Sequence, residues 1–265
     1  MKKTRLDQRV FELNLSESRE KAKALIMAGS VFVNGQKETK PGTRVAEDAE
    51  ITVKGEKLPY VSRGGLKLEK ALNTFAIDPT DFVCIDCGAS TGGFTDCLLQ
   101  RGAKHVFAVD VGYGQLAWSL RTDERVTVME RTNARSLTPD MFPERMDIAV
   151  MDMSFISLHL VLPAVRTLLK DGGQVVCLVK PQFEAGREKV GKKGVVRDPA
   201  VHREVLENFV SSVAGLGFSV AGMSFSPVRG PEGNIEYLAW LKTDGESIAV
   251  DCADIVRQSH ESLDR

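Results

Sequence analysis

The sequence predicts an α/β protein, a doubly wound and mostly parallel sheet preceded by a small α+β unit. Three observations carry this. From Val83 onward, short apolar runs alternate with helical patterns, as strands joined by crossover helices do. Four of those runs end on a polar residue: Asp86, Asp110, Asp152 and Lys180. The first of them, Val83-Cys84-Ile85-Asp86, passes directly into a glycine-rich turn, Gly88, Gly92 and Gly93, and then a helical pattern with Leu98 and Leu99. Strand, tight turn and helix in that order present backbone amides to a ligand, and small residues let it come close. The glycines are not spaced as G-x-G-x-x-G, which weakens a dinucleotide reading.

In chain order, Arg5-Leu6-Asp7 opens a helical pattern that runs to Leu13, and Ser16 suits the cap of the next helix. That helix carries Arg19, Lys21 and Lys23 before Ala24-Leu25-Ile26, and Gly29 stops it. Val31-Phe32-Val33 reads as a strand, Asn34-Gly35 as a hairpin turn, Lys40-Pro41-Gly42 as a second turn and Ile51-Thr52-Val53 as a closing strand. The succession resembles an S4 RNA-binding domain. It implies RNA contacts from Arg5, Arg19, Lys21 and Lys23, a rigid row of cations that positions phosphates without reading sequence. A solvated helix face would carry the same residues. Domain boundaries are expected at 1–58 and 64–265, with 59–63 as the linker, where Pro59 disfavours helix and Tyr60 offers an aromatic for packing.

Arg63-Gly64-Gly65 leads into a helix with Leu68, Ala71, Leu72 and Phe75 on one stripe. Pattern alone turns Lys67 and Lys70 of that helix to solvent. Strands follow at Val83–Asp86, Val106–Asp110, Val126–Met129, Ile148–Asp152 and Gln174–Lys180, and a helix at Ala200–Ala214. Two late strands, Ser219–Phe225 and Glu236–Leu241, have no helix between them, which suggests an antiparallel hairpin at the sheet edge.

Composition narrows the function. The chain has 265 residues, 43% apolar and 27% charged, as ordinary globular proteins do. Met1–Val10 lacks the apolar stretch of a signal peptide, and no run approaches the ~18 apolar residues of a membrane span, so a cytoplasmic protein without membrane attachment is expected. Five cysteines without paired spacing and four scattered histidines predict buried thiols and no metal. Residues 1–62 hold 12 Lys/Arg against 9 Asp/Glu, a basic front end on a chain of net charge −1. That bias hints at nucleic acid.

In such sheets ligands lie beyond the carboxyl ends of the strands. Asp110, ending the second strand, suits a ribose diol or a helix cap; Asn133, past the third, suits adenine or an ordinary loop. Asp86-x-Gly88-x-x-x-Gly92-Gly93 resembles the first motif of S-adenosylmethionine (SAM) methyltransferases, which implies a cofactor held by Asp86, Gly88, Ser90, Gly92, Gly93, Phe94, Asp110 and Asn133. RGGLKL, MDMSFIS, VKPQFE and the glutamate of NIEYLAW resemble the K-D-K-E tetrad of FtsJ-type 2′-O-ribose methyltransferases. With the S4 pattern in front, the whole chain resembles the TlyA family. The resemblance implies a Rossmann-like methyltransferase sheet of seven mostly parallel strands behind the S4 domain. It also implies catalysis by Lys67, Asp152, Lys180 and Glu236 and 2′-O-methylation of cytidine in ribosomal RNA or subunits, with no obligate protein partner. Lys180 would accept the proton or position the oxygen; Asp152 shares that role. Base amino methylation is disfavoured, because Asp152-Met153-Ser154-Phe155 stands where such enzymes place Asp/Asn-Pro-Pro-aromatic. A non-catalytic assembly factor and a pore-forming hemolysin are the alternatives. The basic, glycine-broken segment 188–197, with Lys189, Lys192, Lys193 and Arg197, is a second RNA-gripping candidate or a plain exposed connection; Arg63 is a third.

Overall fold

A computed structural model describes residues 3–16, 18–27, 29–53, 58–191 and 193–264. The chain forms two compact units, 1–57 and 58–265.

The smaller unit contains β1 (Lys3–Arg5), α1 (Leu6–Glu12), α2 (Arg19–Met27), β2 (Val31–Val33), β3 (Gln36–Glu38), β4 (Arg44–Ala46) and β5 (Ile51–Val53). Strand β1 pairs with β4, and β2 lies between β3 and β5. Asn34 and Gly35 both take positive φ, as the hairpin turn between β2 and β3 requires. Leu6, Val10, Ala22, Ile26, Val31, Val45 and Ile51 form the core. Ser18, not the expected Ser16, caps α2: its hydroxyl accepts from the Lys21 amide at 3.1 Å, whereas the Ser16 hydroxyl donates to the Ser18 carbonyl. The cap must stand three residues before that amide, and only Ser18 does.

The larger unit runs α3 (Gly64–Thr74), β6 (Val83–Cys87), α4 (Gly93–Gln100), β7 (His105–Val109), α5 (Trp118–Arg121), β8 (Val126–Met129), β9 (Met146–Met151), α6 (Leu162–Leu168), β10 (Leu169–Val179), α7 (Pro181–Glu184), α8 (Pro199–Ser212), β11 (Ser219–Phe225), β12 (Tyr237–Lys242) and α9 (Cys252–Leu263). The sheet order is β11-β12-β10-β9-β6-β7-β8, with β10 through β8 parallel and β12 antiparallel to both neighbours. The late hairpin is present, but its second strand inserts beside β10 and leaves β11 at the edge.

Alternation along the strands builds two cores. Cys84, Ile148, Val150, Val176 and Leu178 face Leu68, Leu72 and Leu98 of α3 and α4. Ile85, Ala149, Met151, Val175 and Cys177 face Val165, Phe209 and Val256 of α6, α8 and α9. With both faces covered, the central strands read as continuous apolar runs. The chain leaves β6 toward β7 and β8, then returns to β9 on the other side of β6. The carboxyl ends of β6 and β9 therefore flank the switch point, where such sheets take their ligands.

Candidate active site

Four elements bring four charged side chains to that point. Asp152 follows β9, Lys180 follows β10, Glu236 precedes β12 and Lys67 projects from α3. Because β12 is antiparallel to β10, Tyr237 pairs with Val179, and Glu236 thus lies near Lys180. Lys67 Nζ donates to Glu236 Oε2 at 2.6 Å and to Asp152 Oδ2 at 3.3 Å. Lys180 Nζ lies 2.5 Å from Asp152 Oδ1 and 3.9 Å from Glu236 Oε1, and donates to Ser154 Oγ at 3.2 Å. The result is a closed ring of alternating charge.

Lys67, Lys180 and Glu236 are almost wholly buried, at 7%, 5% and 0% exposure, so solvent contributes little to holding these charges. Burial pushes the Lys67 pKa down, but Asp152 and Glu236 outweigh it and leave it above the ordinary lysine value. Burial pushes Asp152 up, but Lys180 and Lys67 outweigh it and hold its carboxyl below the usual range. Lys67 is a fixed cation and Asp152 a fixed anion. This corrects the pattern reading that turns Lys67 to solvent: the ends of β9 and β12 supply counter-charges that periodicity within α3 cannot show. Its neighbour Lys70 sits 3.4 Å from the centroid of the Phe225 ring, half-buried, where desolvation lowers its pKa to about 8.

The glycine turn lies against the ring. Gly88 has φ +86°, and a Cβ there would stand 2.8 Å from the Asp152 carbonyl. A Cβ on Gly93 would stand 2.4 Å from Ser62 Oγ and 2.8 Å from the Gly65 nitrogen, so Gly93 lets the starts of α3 and α4 touch. Asp86 is fully buried; its Oδ2 accepts from the Thr95 amide at 3.0 Å and hydroxyl at 2.7 Å, while Oδ1 has no partner. Burial raises its pKa to about 7 against the Thr95 bonds. Asp110 accepts from the Ser90 amide at 2.8 Å and the Gly112 amide at 2.6 Å. Asn133 is exposed and accepts from the Arg135 amide at 3.0 Å, capping a short helical turn.

A cavity of about 310 Å³ joins turn and ring: Gly88, Ser90, Gly93 and Phe94 line one side, and Lys67, Asp152 and Lys180 another. Arg63 also lines it; Gly92, Asp110 and Asn133 do not, and Asp86 lies buried beneath the turn. Asp86, buried beneath the glycine turn with one oxygen unpartnered, is an acid that no cation of the protein compensates.

Sequence reasoning does not single out Ser154, Phe155, Glu184 or Arg229. Phe155 is 91% exposed, has φ +64° and stands 5.1 Å, centroid to centroid, from Phe183. An aromatic three residues beyond a strand-ending acid was the available signal. Glu184 accepts from the Ser157 hydroxyl at 2.7 Å and the Leu158 amide at 2.9 Å, joining the segment after Asp152 to the one after Lys180. Arg229 lines the cavity and is anchored to the carbonyls of Gly233 and Leu263.

The other predicted cations are dispersed. In the smaller unit, Arg5 and Arg19 both pair with buried Asp7, at 3.0 and 3.2 Å, Lys23 pairs with Glu20 at 2.6 Å, and Lys21 is exposed on α2. In the larger unit, Lys189, Lys193 and Arg197 line an open cleft of about 320 Å³, with Lys189 2.5 Å from Glu204. Lys192 lies outside the described residues. Among the described residues, no cluster of His, Cys, Asp or Glu could hold a metal ion, and no helix is long and apolar enough to cross a membrane.

Residues 60–243 match the FtsJ-like methyltransferase family, and residues 4–51 match the S4 domain. The chain is 58% identical over 246 residues to YqxC of Bacillus subtilis, provisionally named an rRNA methyltransferase, covering 92% of this chain and 88% of that one. It is 47% identical over 243 residues, 91% of each chain, to the 16S/23S rRNA (cytidine-2′-O)-methyltransferase TlyA of Mycobacterium tuberculosis. A solved structure from Streptococcus thermophilus, provisionally named a hemolysin, is 50% identical and matches with a TM-score of 0.80 over 100% of this chain and 98% of that one.

Proposed function

Because the chain belongs to the FtsJ-like methyltransferase family, we propose that it transfers a methyl group from SAM to the ribose 2′-hydroxyl of cytidine in ribosomal RNA, in the cytoplasm. One observation carries the reading: the closed ring of Lys67, Asp152, Lys180 and Glu236 opens, through its first three members, on the same cavity as the glycine turn. Three buried charges and a partly buried fourth are costly to keep, and a non-catalytic assembly factor would have no use for them. The nucleoside identity rests on the resemblance to TlyA.

When bound, SAM supplies a methyl on a sulfonium, activated for in-line attack. Gly88, Ser90, Gly93 and Phe94 would hold its body, with Asp86 beneath them attracting its positive charge through the turn and Asp110 and Asn133 proposed toward the nucleoside. The protein's own task is to place the 2′-oxygen and take its proton. Lys180 reaches the cavity with Ser154 and Asp152 as partners. In the resting ring Lys180 is the cation beside Asp152. To act as the base it first gives up a proton, then takes the proton of the 2′-hydroxyl as the oxygen bonds to the methyl and returns to the ammonium held by Asp152. Lys67, locked between Asp152 and Glu236, keeps that carboxylate aimed. Phe155 offers its exposed face for stacking a nucleobase drawn out of the RNA. Residues 1–58 and the cations Arg63, Lys189, Lys192, Lys193 and Arg197 hold the RNA backbone, and residues 59–63 link the two domains.

The test is label transfer from methyl-tritiated SAM to ribosomal subunits and free rRNA. We expect 2′-O-methylcytidine from the native chain and a loss of about 10²–10⁴-fold in Lys180→Ala, with SAM binding retained. Normal turnover in that variant removes Lys180 from the chemistry. No label on any RNA despite SAM binding turns the reading to another acceptor.

A further inference from the structure

The peptide group of Val196, at the base of the basic segment 188–197, is gripped from both sides by buried side chains. Asn234, 2% exposed, accepts from the Val196 amide at 3.0 Å and donates from Nδ2 to the Gly194 carbonyl at 2.9 Å. His202, 1% exposed, meets the Val196 carbonyl with Nε2 at 3.0 Å. That contact puts the ring proton on Nε2 and leaves Nδ1 to accept from the Tyr237 hydroxyl at 2.7 Å. Burial pushes the His202 pKa down, which keeps the ring neutral and the donor order intact.

The two anchors converge on one member of the charge ring. Asn234 stands two residues before Glu236 and Tyr237 one residue after it. Tyr237 pairs with Val179, whose successor is Lys180. Gly230 lies so close to Glu236 that a Cβ there would stand 2.6 Å from Oε1. Val195 and Val196 are themselves buried, at 8% and 3% exposure, so the Val196 backbone must find its partners within the protein. Two buried side chains supply them, and both belong to or touch the segment 234–237.

We propose that Asn234 and His202 are positioning residues that hold the basic segment 188–197 in register with Glu236 and Lys180, so that RNA gripped by Lys193 and Arg197 is presented to the ring in one position. This rests on the methyl-transfer reading of the ring. Simple packing of α8 makes a different prediction, because the two nitrogens of His202 can be separated. In His202→Gln the side-chain amide takes the place of Nε2 and keeps the bond to Val196. In His202→Asn it takes the place of Nδ1, keeps Tyr237 and drops Val196.

The experiment compares the full-length native chain with His202→Gln, His202→Asn and Asn234→Ala. It reads melting temperature, SAM affinity, hydrogen exchange across 188–197, RNA affinity, and KM and kcat for rRNA. We expect His202→Asn and Asn234→Ala to exchange faster in 188–197. Both should raise KM and weaken RNA binding about tenfold, a lost hydrogen bond's worth, with kcat within about threefold and SAM affinity unchanged. His202→Gln should stay near the native values. Equal losses in the Gln and Asn variants that track melting temperature would overturn the proposal in favour of packing. Faster exchange without weaker RNA binding would overturn it too. If the native chain methylates no RNA, the methyl-transfer reading falls by itself, and exchange and RNA affinity still decide whether the segment is held this way.

Discussion

Asp86 lies near the end of β6 and Asp152 just past the neighbouring parallel β9, and the Asp152 amide even donates to the Cys87 carbonyl at 3.2 Å. Their side chains have opposite fates. Asp152 touches two lysines and is held charged; Asp86 touches a threonine, leaves one oxygen unpartnered and is raised to about 7. Burial acts on both. What separates them is a cation within reach, and the charge of Asp152 adds to what disfavours a charged Asp86. The ring is thus complete in its charge, while the acid beneath the glycine turn is not.

The comparison breaks most severely at Lys67. Lys67→Ala leaves Glu236, wholly buried, with Lys180 as a distant counter-charge at 3.9 Å. We expect a loss of about 3–5 kcal/mol in denaturant unfolding, as when a buried pair loses one partner. A loss below about 1 kcal/mol would mean that solvent, and not the ring, holds these charges. The pH dependence follows from the directions. The raised Lys67 contributes stability that is present below its unfolded pKa and lost as pH rises through the folded one. The lowered Asp152 contributes stability present above its unfolded pKa and lost as pH falls through the folded one. Between those limits the contributions of Lys67 and Asp152 do not change with pH.

Asp86 gives the opposite sign. Its folded pKa of about 7 lies above the ordinary aspartate value of 3.8, so the folded state binds the extra proton between them and stability falls as pH rises through that window. A positive ligand needs the carboxylate. SAM affinity should therefore strengthen from pH 6 to 8, approaching tenfold per unit below pH 7, with proton release seen by calorimetry in buffers of different ionisation enthalpy. Asp86→Asn should flatten both profiles. A flat SAM profile in the native chain would show that Asp86 is no part of the cofactor site.

A third change leaves every ring member in place. Glu184→Ala removes the contacts that join the segments after Asp152 and Lys180. Glu184→Gln retains an acceptor for the Leu158 amide and a polar partner for Ser157. We expect kcat to fall about tenfold in the Ala variant and recover to within about threefold in the Gln variant. Equal kcat in the two would assign Glu184 a packing role only.

Much of this was legible in the chain itself. The sheet strands show as apolar runs because both faces are covered, and their polar last residues mark the ligand edge. Asp86, Asp152 and Lys180 follow from that pattern. Lys67 does not, since its burial depends on counter-charges from β9 and β12, distant in sequence; only the family resemblance pointed to it. The insertion of β12 beside β10 depends on pairing between distant strands, which local periodicity cannot encode. Ser16 and Ser18 are equally good capping residues by type, and the helix start alone decides between them. Phe155 and Glu184 lie in irregular segments, where no period exists to mark a side chain as exposed or clamped.

The smallest effect tests whether a shared buried carboxylate always makes a closed ring. Asp7 in the smaller unit is fully buried and serves two cations, as Asp152 does, but Arg5 and Arg19 keep side-chain exposures of 46% and 47%. Burial pushes Asp7 up, and the bonds from Arg5, the Gln8 amide and Arg19 outweigh it. The carboxylate therefore orients two guanidinium groups whose outer faces stay free for phosphates, whereas in the ring the lysines are nearly enclosed. If that contrast holds, Arg5→Ala/Arg19→Ala should lower the slope of log affinity for RNA against log salt by about 1.5, two contacts' worth, and leave kcat within about twofold. Asp7→Asn should disturb affinity with little change in slope, because both cations remain. An unchanged slope in the double variant would make Arg5, Asp7 and Arg19 a structural cluster, and would leave RNA binding to other cations of the chain.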